Sequence, residues 1–282
     1  MERILACIDS SAYAAPVCDL AAWAAHKLEL PIEVLHVVQR KDAVAERGDL
    51  SGAIGLGVKS SLLEELTRLE EAHARLEVER GRALLDAAAE RVQAAGVAQV
   101  ETLHRHGGIV ETILERQAAA HVVVIGKRGA SHEFASEHIG SQVERVVRAS
   151  SKPILIASRA FETPGVAVLA YDGSKPAQRA LERCARSPLF RDLPVHLVMA
   201  GAEDERNRRL LEAAAAALSG RSVMTTLRDL RAEELILECV ARTRDAILVM
   251  GAYGHSPLRA LIVGSTTTAM IRTVHVPVFL VR

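Results

Sequence analysis

The 282 residues balance 35 Lys and Arg against 35 Asp and Glu, so no overall field draws the chain to nucleic acid or to an anionic membrane. Dividing it near residue 160 leaves 19 basic and 22 acidic residues in the first part and 16 and 13 in the second, too even to name a charged partner. An apolar share of 49% with only 3% aromatic residues suits helices packed on a parallel sheet, and no apolar run approaches the ~20 residues of a membrane helix.

The opening MERILACIDSS lacks the long apolar run of a signal peptide, so a cytoplasmic location is expected. Arg3 to Ile8 reads as a strand ending at Asp9. Ser10 and Ser11 can cap the helix that follows, Pro16 fits its first turn, and it runs to about Leu28. Pro31 opens a second strand, Ile32 to Val38. Residues 39 to 60 read as a loop carrying Gly48, Gly52, Gly55 and Gly57, long enough to suggest a lid or a contact strip. From Ser61 to Ala95 a helical pattern carries Leu62, Leu66, Leu69, Leu76, Leu84, Ala88 and Val92 as an apolar stripe interrupted by Gly81. Its charged remainder reads as a solvated face.

A third strand, Val100 to His104, leads to Gly107-Gly108 and a helix from Val110 to Ala120. A fourth strand spans His121 to Ile125. After a glycine loop come a helix, Val143 to Ala149, and a strand, Pro153 to Ala157. His104 and His106 have the spacing of side chains on one strand face, but no acidic or Cys partner is suitably spaced, and they read as solvated strand-end histidines rather than metal ligands. Cys7, Cys18, Cys184 and Cys239 are scattered without any C-x-x-C and read as small buried residues.

Thr163-Pro164-Gly165 punctuates the chain, and after it the sequence starts again. VAVLAYDGS repeats RILACIDSS, and DLPVHLVMAG repeats ELPIEVLHVV, with Asp172 answering Asp9 and Pro194 answering Pro31 at an offset of 163. Gly251 answers Gly126 at 125, and Gly264-Ser265 answers Gly140-Ser141 at 124. The expected domains are 1–160, with an insertion around 39–80, and 164–282. Strand–helix alternation within each implies a parallel sheet with helices on both faces, and a ligand site at the carboxyl ends of the first and fourth strands.

The second repeat ends in a strand, Ile247 to Met250, then Gly251-x-x-Gly254, nine residues, Gly264-Ser265, a helix and a last strand, Val276 to Val281. Glycines after a buried strand let backbone approach a ligand, and a second glycine followed by hydroxyls at a helix start offers N–H groups to phosphate. The alternative is that these glycines only let helices pack closely on strands. Gly126-Lys127-Arg128 is not a P-loop, because no glycine stands five residues before Gly126 and Arg128 is not Ser or Thr.

With Asp172 ending the first strand, this pattern over nearly the whole chain resembles a tandem universal stress protein. The resemblance implies two Rossmann-like domains, each a five-stranded parallel sheet of order 3-2-1-4-5. It implies ATP or AMP as ligand, with or without Mg²⁺, and a stress-response sensor or regulator, its site being expected mainly in the second domain. Position by position, Asp172 would meet the adenine or ribose end, Ala200 would flank adenine, and Gly251 and Gly254 would approach ribose and phosphate. Gly264, Ser265 and Thr266 would donate to the phosphates. Asp9, Val37, Gly126, Gly129, Gly140 and Ser141 form a second site in the first repeat. There the loop carries one extra residue, Glu133 and Glu137 oppose a polyphosphate, and Gln142 replaces a hydroxyl, so the site reads as altered. Against that, Lys127 and Arg128 could hold phosphate. The last strands of the two domains would pair as an internal pseudo-dimer, and a homodimer is a further expectation. No catalytic constellation is visible. An interaction scaffold without nucleotide and a slow ATPase are the alternatives.

Overall fold

The computed structural model describes residues 2–38, 56–129, 141–243, 245–252 and 265–282, with the backbone alone at 56–63, 141 and 265. The first half runs β1 (Arg3–Ile8), α1 (Ala14–Leu28), β2 (Ile32–Val38), α2 (Leu56–Ala94), β3 (Val100–His106), α3 (Ile109–Arg116), a 3₁₀ turn (Gln117–Ala119), β4 (Ala120–Gly126), α4 (Ser141–Ala149) and β5 (Ile154–Ala157). The second runs β6 (Val166–Ala170), α5 (Lys175–Arg186), a 3₁₀ turn (Pro188–Phe190), β7 (Val195–Ala200), α6 (Glu205–Ala216), β8 (Val223–Arg228), α7 (Ala232–Arg242), β9 (Ala246–Gly251), α8 (Ser265–Thr273) and β10 (Val278–Val281).

All ten strands form one sheet in the order β3-β2-β1-β4-β5-β10-β9-β6-β7-β8. Each half is parallel and has the order 3-2-1-4-5. Alternate residues of the strands point to opposite faces, so Ile4 and Ala6 join one core with α1 and α5 while Leu5 joins the other with α3, α4 and α7. Both faces are therefore apolar, as a covered parallel sheet requires. The halves meet where β10 runs antiparallel to β5, pairing Val278 with Ile156 and Leu280 with Ile154. Phe190 packs edge-on to Phe279 across 5.1 Å beside this joint.

Each half caps the last helix of the other. Lys127 donates from Nζ to the Val274 carbonyl at the end of α8, at 2.7 Å. Arg282 donates to the carbonyls of Arg148 and Ser150 at the end of α4. A cation on terminal carbonyls satisfies groups the helix cannot bond itself and offsets the negative end of its dipole. The Lys127 ammonium, read from sequence as able to hold phosphate, is thus bonded to the end of α8 at the joint between the halves.

Several boundaries differ from the expected ones. Residues 56–60 are the first turns of α2, not loop, while 39–55 lie outside the described residues. β3 extends to His106 because β2 offers partners as far as Val38. The stripe on α2 is only half a core: Leu85, Ala88 and Val92 are buried, but Leu66, Leu69 and Leu76 face solvent. Gly81 has a definite use, since a Cβ there would lie 2.5 Å from His104 Nε2 and 2.9 Å from His36 Cδ2.

Those imidazoles stack at 5.4 Å, and His106 lies 5.5 Å beyond His104. Burial first, then the charges of His36, His106 and Arg82, lower the His104 pKa from its ordinary 6.5, and burial does the same at His196. Below pH 6.5 the unfolded chain therefore binds protons that the folded chain resists, so this contribution is fully present above that value and is lost as the pH falls. The part of the urea midpoint that these histidines set is expected to be flat from about pH 8 to 7 and to decline from about 6.5 downward. His104→Gln should shrink the decline; an unchanged profile in that variant would assign it elsewhere.

All four cysteines are free thiols, with Cys18, Cys184 and Cys239 buried and Cys7 half-buried. Burial, with Asp19 adding to it, pushes Cys18 up to about 11, and burial pushes Cys184 up to about 12, which keeps both unreactive.

Candidate functional site

The first-strand aspartates build matching turns. Asp9 Oδ1 accepts from the Ser11 N–H at 3.1 Å, and Asp172 Oδ1 accepts from the Ser174 N–H at 2.9 Å. Each carboxylate thus organises the bend from its strand into the next helix. Ser174 also caps α5 by accepting from the Ala177 N–H. Ser11 does less, accepting from the Tyr13 N–H one residue ahead of α1.

In the first half these turns border a cavity of about 160 Å³ at the carboxyl ends of β1, β2 and β4. Asp9, Val37, Gly126 and Gly129, four residues brought from three separate segments, all line it. Ile8, Leu35, Ile113, Ile125 and Val146 make its walls apolar. The glycines are required for sharply different reasons. A Cβ on Gly129 would lie 2.8 Å from Asp9 Oδ2, so glycine is what lets the loop approach the carboxylate. A Cβ on Gly126 would lie 2.7 Å from the Tyr13 Cβ, so there glycine admits the tyrosine. Gly140 lies outside the described residues, and Ser141 is described only as the first residue of α4.

Tyr13 and Arg128 line this cavity and also a second one at the joint between the halves. Sequence reasoning passed over Tyr13, although its place four residues after a strand-ending aspartate was a usable signal.

In the second half the picture is mixed. Asp172 is exposed at its turn, and Ala200 ends β7 half-buried. Gly251 ends β9, but the space a Cβ would occupy is filled by backbone: Pro176 C at 2.4 Å and the Ala177 nitrogen at 2.7 Å. This glycine seats α5 on the strand, which is the packing use that sequence left open. Thr266, expected to donate to phosphate, instead donates to Glu233 Oε1 at 3.1 Å, in the first turn of α7. Glu233 was not foreseen, and its charge stands beside the start of α8. Gly254 and Gly264 lie outside the described residues, and Ser265 is described only as the first residue of α8.

Among the described residues, no three or more His, Cys, Asp or Glu are placed to hold a metal ion. No described helix is long and apolar enough to cross a membrane.

The sequence profile of the Universal stress protein family matches residues 1–158 and 196–282. The chain belongs to the universal stress protein family. A universal stress protein of Synechocystis sp. is 34% identical over 287 residues, spanning 100% of both chains. The solved structure of a universal stress protein from Archaeoglobus fulgidus superposes with a TM-score of 0.71 at 21% identity, covering 99% of this chain and 98% of the other. A functionally unknown protein from Pseudomonas aeruginosa PAO1 gives 0.60 at 13% identity, covering 100% and 92%. These two likenesses concern the fold, while the profile and the Synechocystis relative establish the universal stress protein family. Membership of that family supports a general role in the stress response.

Proposed function

We propose that this universal stress protein binds an adenine nucleotide, ATP or AMP, and acts through it as a sensor or regulator. The observation that carries the reading is the convergence of Asp9, Val37, Gly126 and Gly129 on one cavity at the carboxyl ends of the first and fourth strands. Its apolar walls suit the flat face of a base, and Asp9 at the rim suits ribose hydroxyls. A volume of about 160 Å³ fits the ring end of a ligand, with the remainder lying toward the glycine loop.

Two repeats support two such sites. The second keeps the motif spacing and the Asp172 turn, and we assign it the phosphate-binding role on those grounds, through Asp172, Ala200, Gly254, Gly264, Ser265 and the Thr266 backbone N–H, with Gly251 seating α5 and the Thr266 hydroxyl held by Glu233. Glu233 beside Thr266 favours a phosphate accompanied by a cation such as Mg²⁺, which would balance the like charges there. The domains we propose are 1–160 and 164–282. The antiparallel β5–β10 joint supports reading them as an internal pseudo-dimer.

A second reading has its own support. The backbone packed against Gly251 and the carboxylate on Thr266 favour a second loop that is a packing device, in a protein acting as an interaction scaffold. Titration of the full chain with ATP·Mg and with AMP separates the two. Wild type is expected to bind, and Asp9→Ala and Asp172→Ala are each expected to weaken one class of site by about tenfold or more. No heat of binding to wild type, with an unchanged melting temperature, would leave the scaffold reading standing. Affinity lost in Asp9→Ala alone would place the site in the first half only.

A further inference from the structure

At the carboxyl ends of β4 and β5 the first half meets the end of α8 from the second. A cavity of about 410 Å³ opens there, within the roughly 300–1,000 Å³ of small-molecule sites. Lys127, Arg128, Arg159, Arg272 and His275 line it beside Tyr13, and its described lining contains no Asp or Glu. This concentration stands out in a chain whose formal charges cancel. Several arginines elsewhere are matched: Arg3 and Arg116 on Glu33, Arg91 on Asp19, Arg148 on Glu144. Arg159, Arg272 and His275 are exposed and form no ion pair among the described residues.

We propose that this cleft binds a small phosphorylated anion, held between Arg159 of the first half and Arg272 of the second. The chemistry is that of guanidinium forks on phosphate oxygens. The end of α8 would repel an anion, but its Val274 carbonyl is already taken by the buried ammonium of Lys127. Burial and then Arg128 push that ammonium down to about 8, so Lys127 stands to gain from a nearby negative charge. The other end of the joint lacks this purity. The cavity there, about 470 Å³, places Glu182 among Arg179, Arg183 and Arg186, and its Arg282 is spent on helix carbonyls. Because the proposed site takes residues from both halves, its ligand would hold them docked.

The site does not rest on nucleotide binding in the second half. Inorganic pyrophosphate is the probe, titrated calorimetrically into the full chain at low salt. Saturable binding that weakens with added salt is expected, and Arg159→Ala/Arg272→Ala should lose about tenfold or more. Arg159→Lys/Arg272→Lys should recover part of it. Arg183→Ala/Arg186→Ala, in the opposite cleft, should bind as wild type. All four arginines are exposed, so unchanged circular dichroism and melting are expected and checked first. No saturable binding to wild type, or equal loss in both alanine pairs, would overturn the proposal. Wild type that binds pyrophosphate but not ATP·Mg means failure of the nucleotide reading alone, and wild type that binds ATP·Mg but not pyrophosphate means failure of this one alone. ATP separates the sources of phosphate. If Arg159→Ala/Arg272→Ala weakens ATP as well as pyrophosphate, the anion is the tail of a ligand seated in the adjoining cavity. If the pair weakens pyrophosphate alone, the ligand is a free phosphate compound.

Discussion

Glu33→Ala is expected to lower the first thermal transition by roughly 4–12 °C, the equivalent of about 2–3 kcal/mol in a domain of this size. The carboxylate is 3% exposed and binds two guanidiniums: Arg3 Nη1 at 2.6 Å from β1, and Arg116 through Nε at 2.9 Å and Nη2 from α3. It joins the first two strands to a helix on one face. Removing it strands both arginines in partly dry surroundings, and each side chain is about a quarter exposed, which discounts the loss from that of a fully buried pair. Glu33→Gln keeps an acceptor and should cost less. Glu101→Ala removes a carboxylate that is 74% exposed from the same Arg3 and should cost almost nothing. Differential scanning calorimetry on the three variants decides it. A Glu33→Ala shift no larger than that of Glu101→Ala would mean that the arginines find water as good a partner.

Gly251→Ala is expected to destabilise the second half by about 2–3 kcal/mol, near the upper range for overpacking. The obstructing atoms are backbone of the first turn of α5, the nearest at 2.4 Å, so no side-chain rotation can make room. Strand β9 or helix α5 must shift. Gly129→Ala is the informative contrast, because among the described residues the atom within reach of its Cβ is Asp9 Oδ2 at 2.8 Å, the end of a side chain that can turn. That variant should keep its stability and lose nucleotide affinity. Urea unfolding and ATP titration of both proteins separate packing glycine from site glycine. Full stability in Gly251→Ala would show that the strand end has slack the packing does not suggest.

These two glycines show how far sequence carried. Both follow an apolar strand and look alike in one dimension. One makes room for a helix and the other for a carboxylate, and that difference lies in what is packed against them. Local signals performed well where the chain decides by itself. β1 and β2 begin and end where apolar runs, Asp9 and Pro31 mark them, and the offset of 163 between Asp172 and Asp9 foretold the repeat that makes up the two halves of the sheet. The signals failed where a partner distant in sequence decides. Lys127 reads as a phosphate ligand until Val274, 147 residues away, takes its ammonium. Thr266 reads as a donor to phosphate until Glu233 accepts from it. The apolar periodicity of α2 is real, but among the described residues its Leu66, Leu69 and Leu76 stay exposed.

The antiparallel joint between β5 and β10 has a consequence for abundance. Two separate chains meeting through such strands would come apart on dilution, as mass action requires. Here residues 158–165 bridge β5 and β6, and so short a tether holds the partners at an effective concentration in the millimolar range. The pairing is then independent of how many copies a cell makes. A scarce protein would be as fully assembled as an abundant one, and any signal it carries would follow ligand level rather than its own expression.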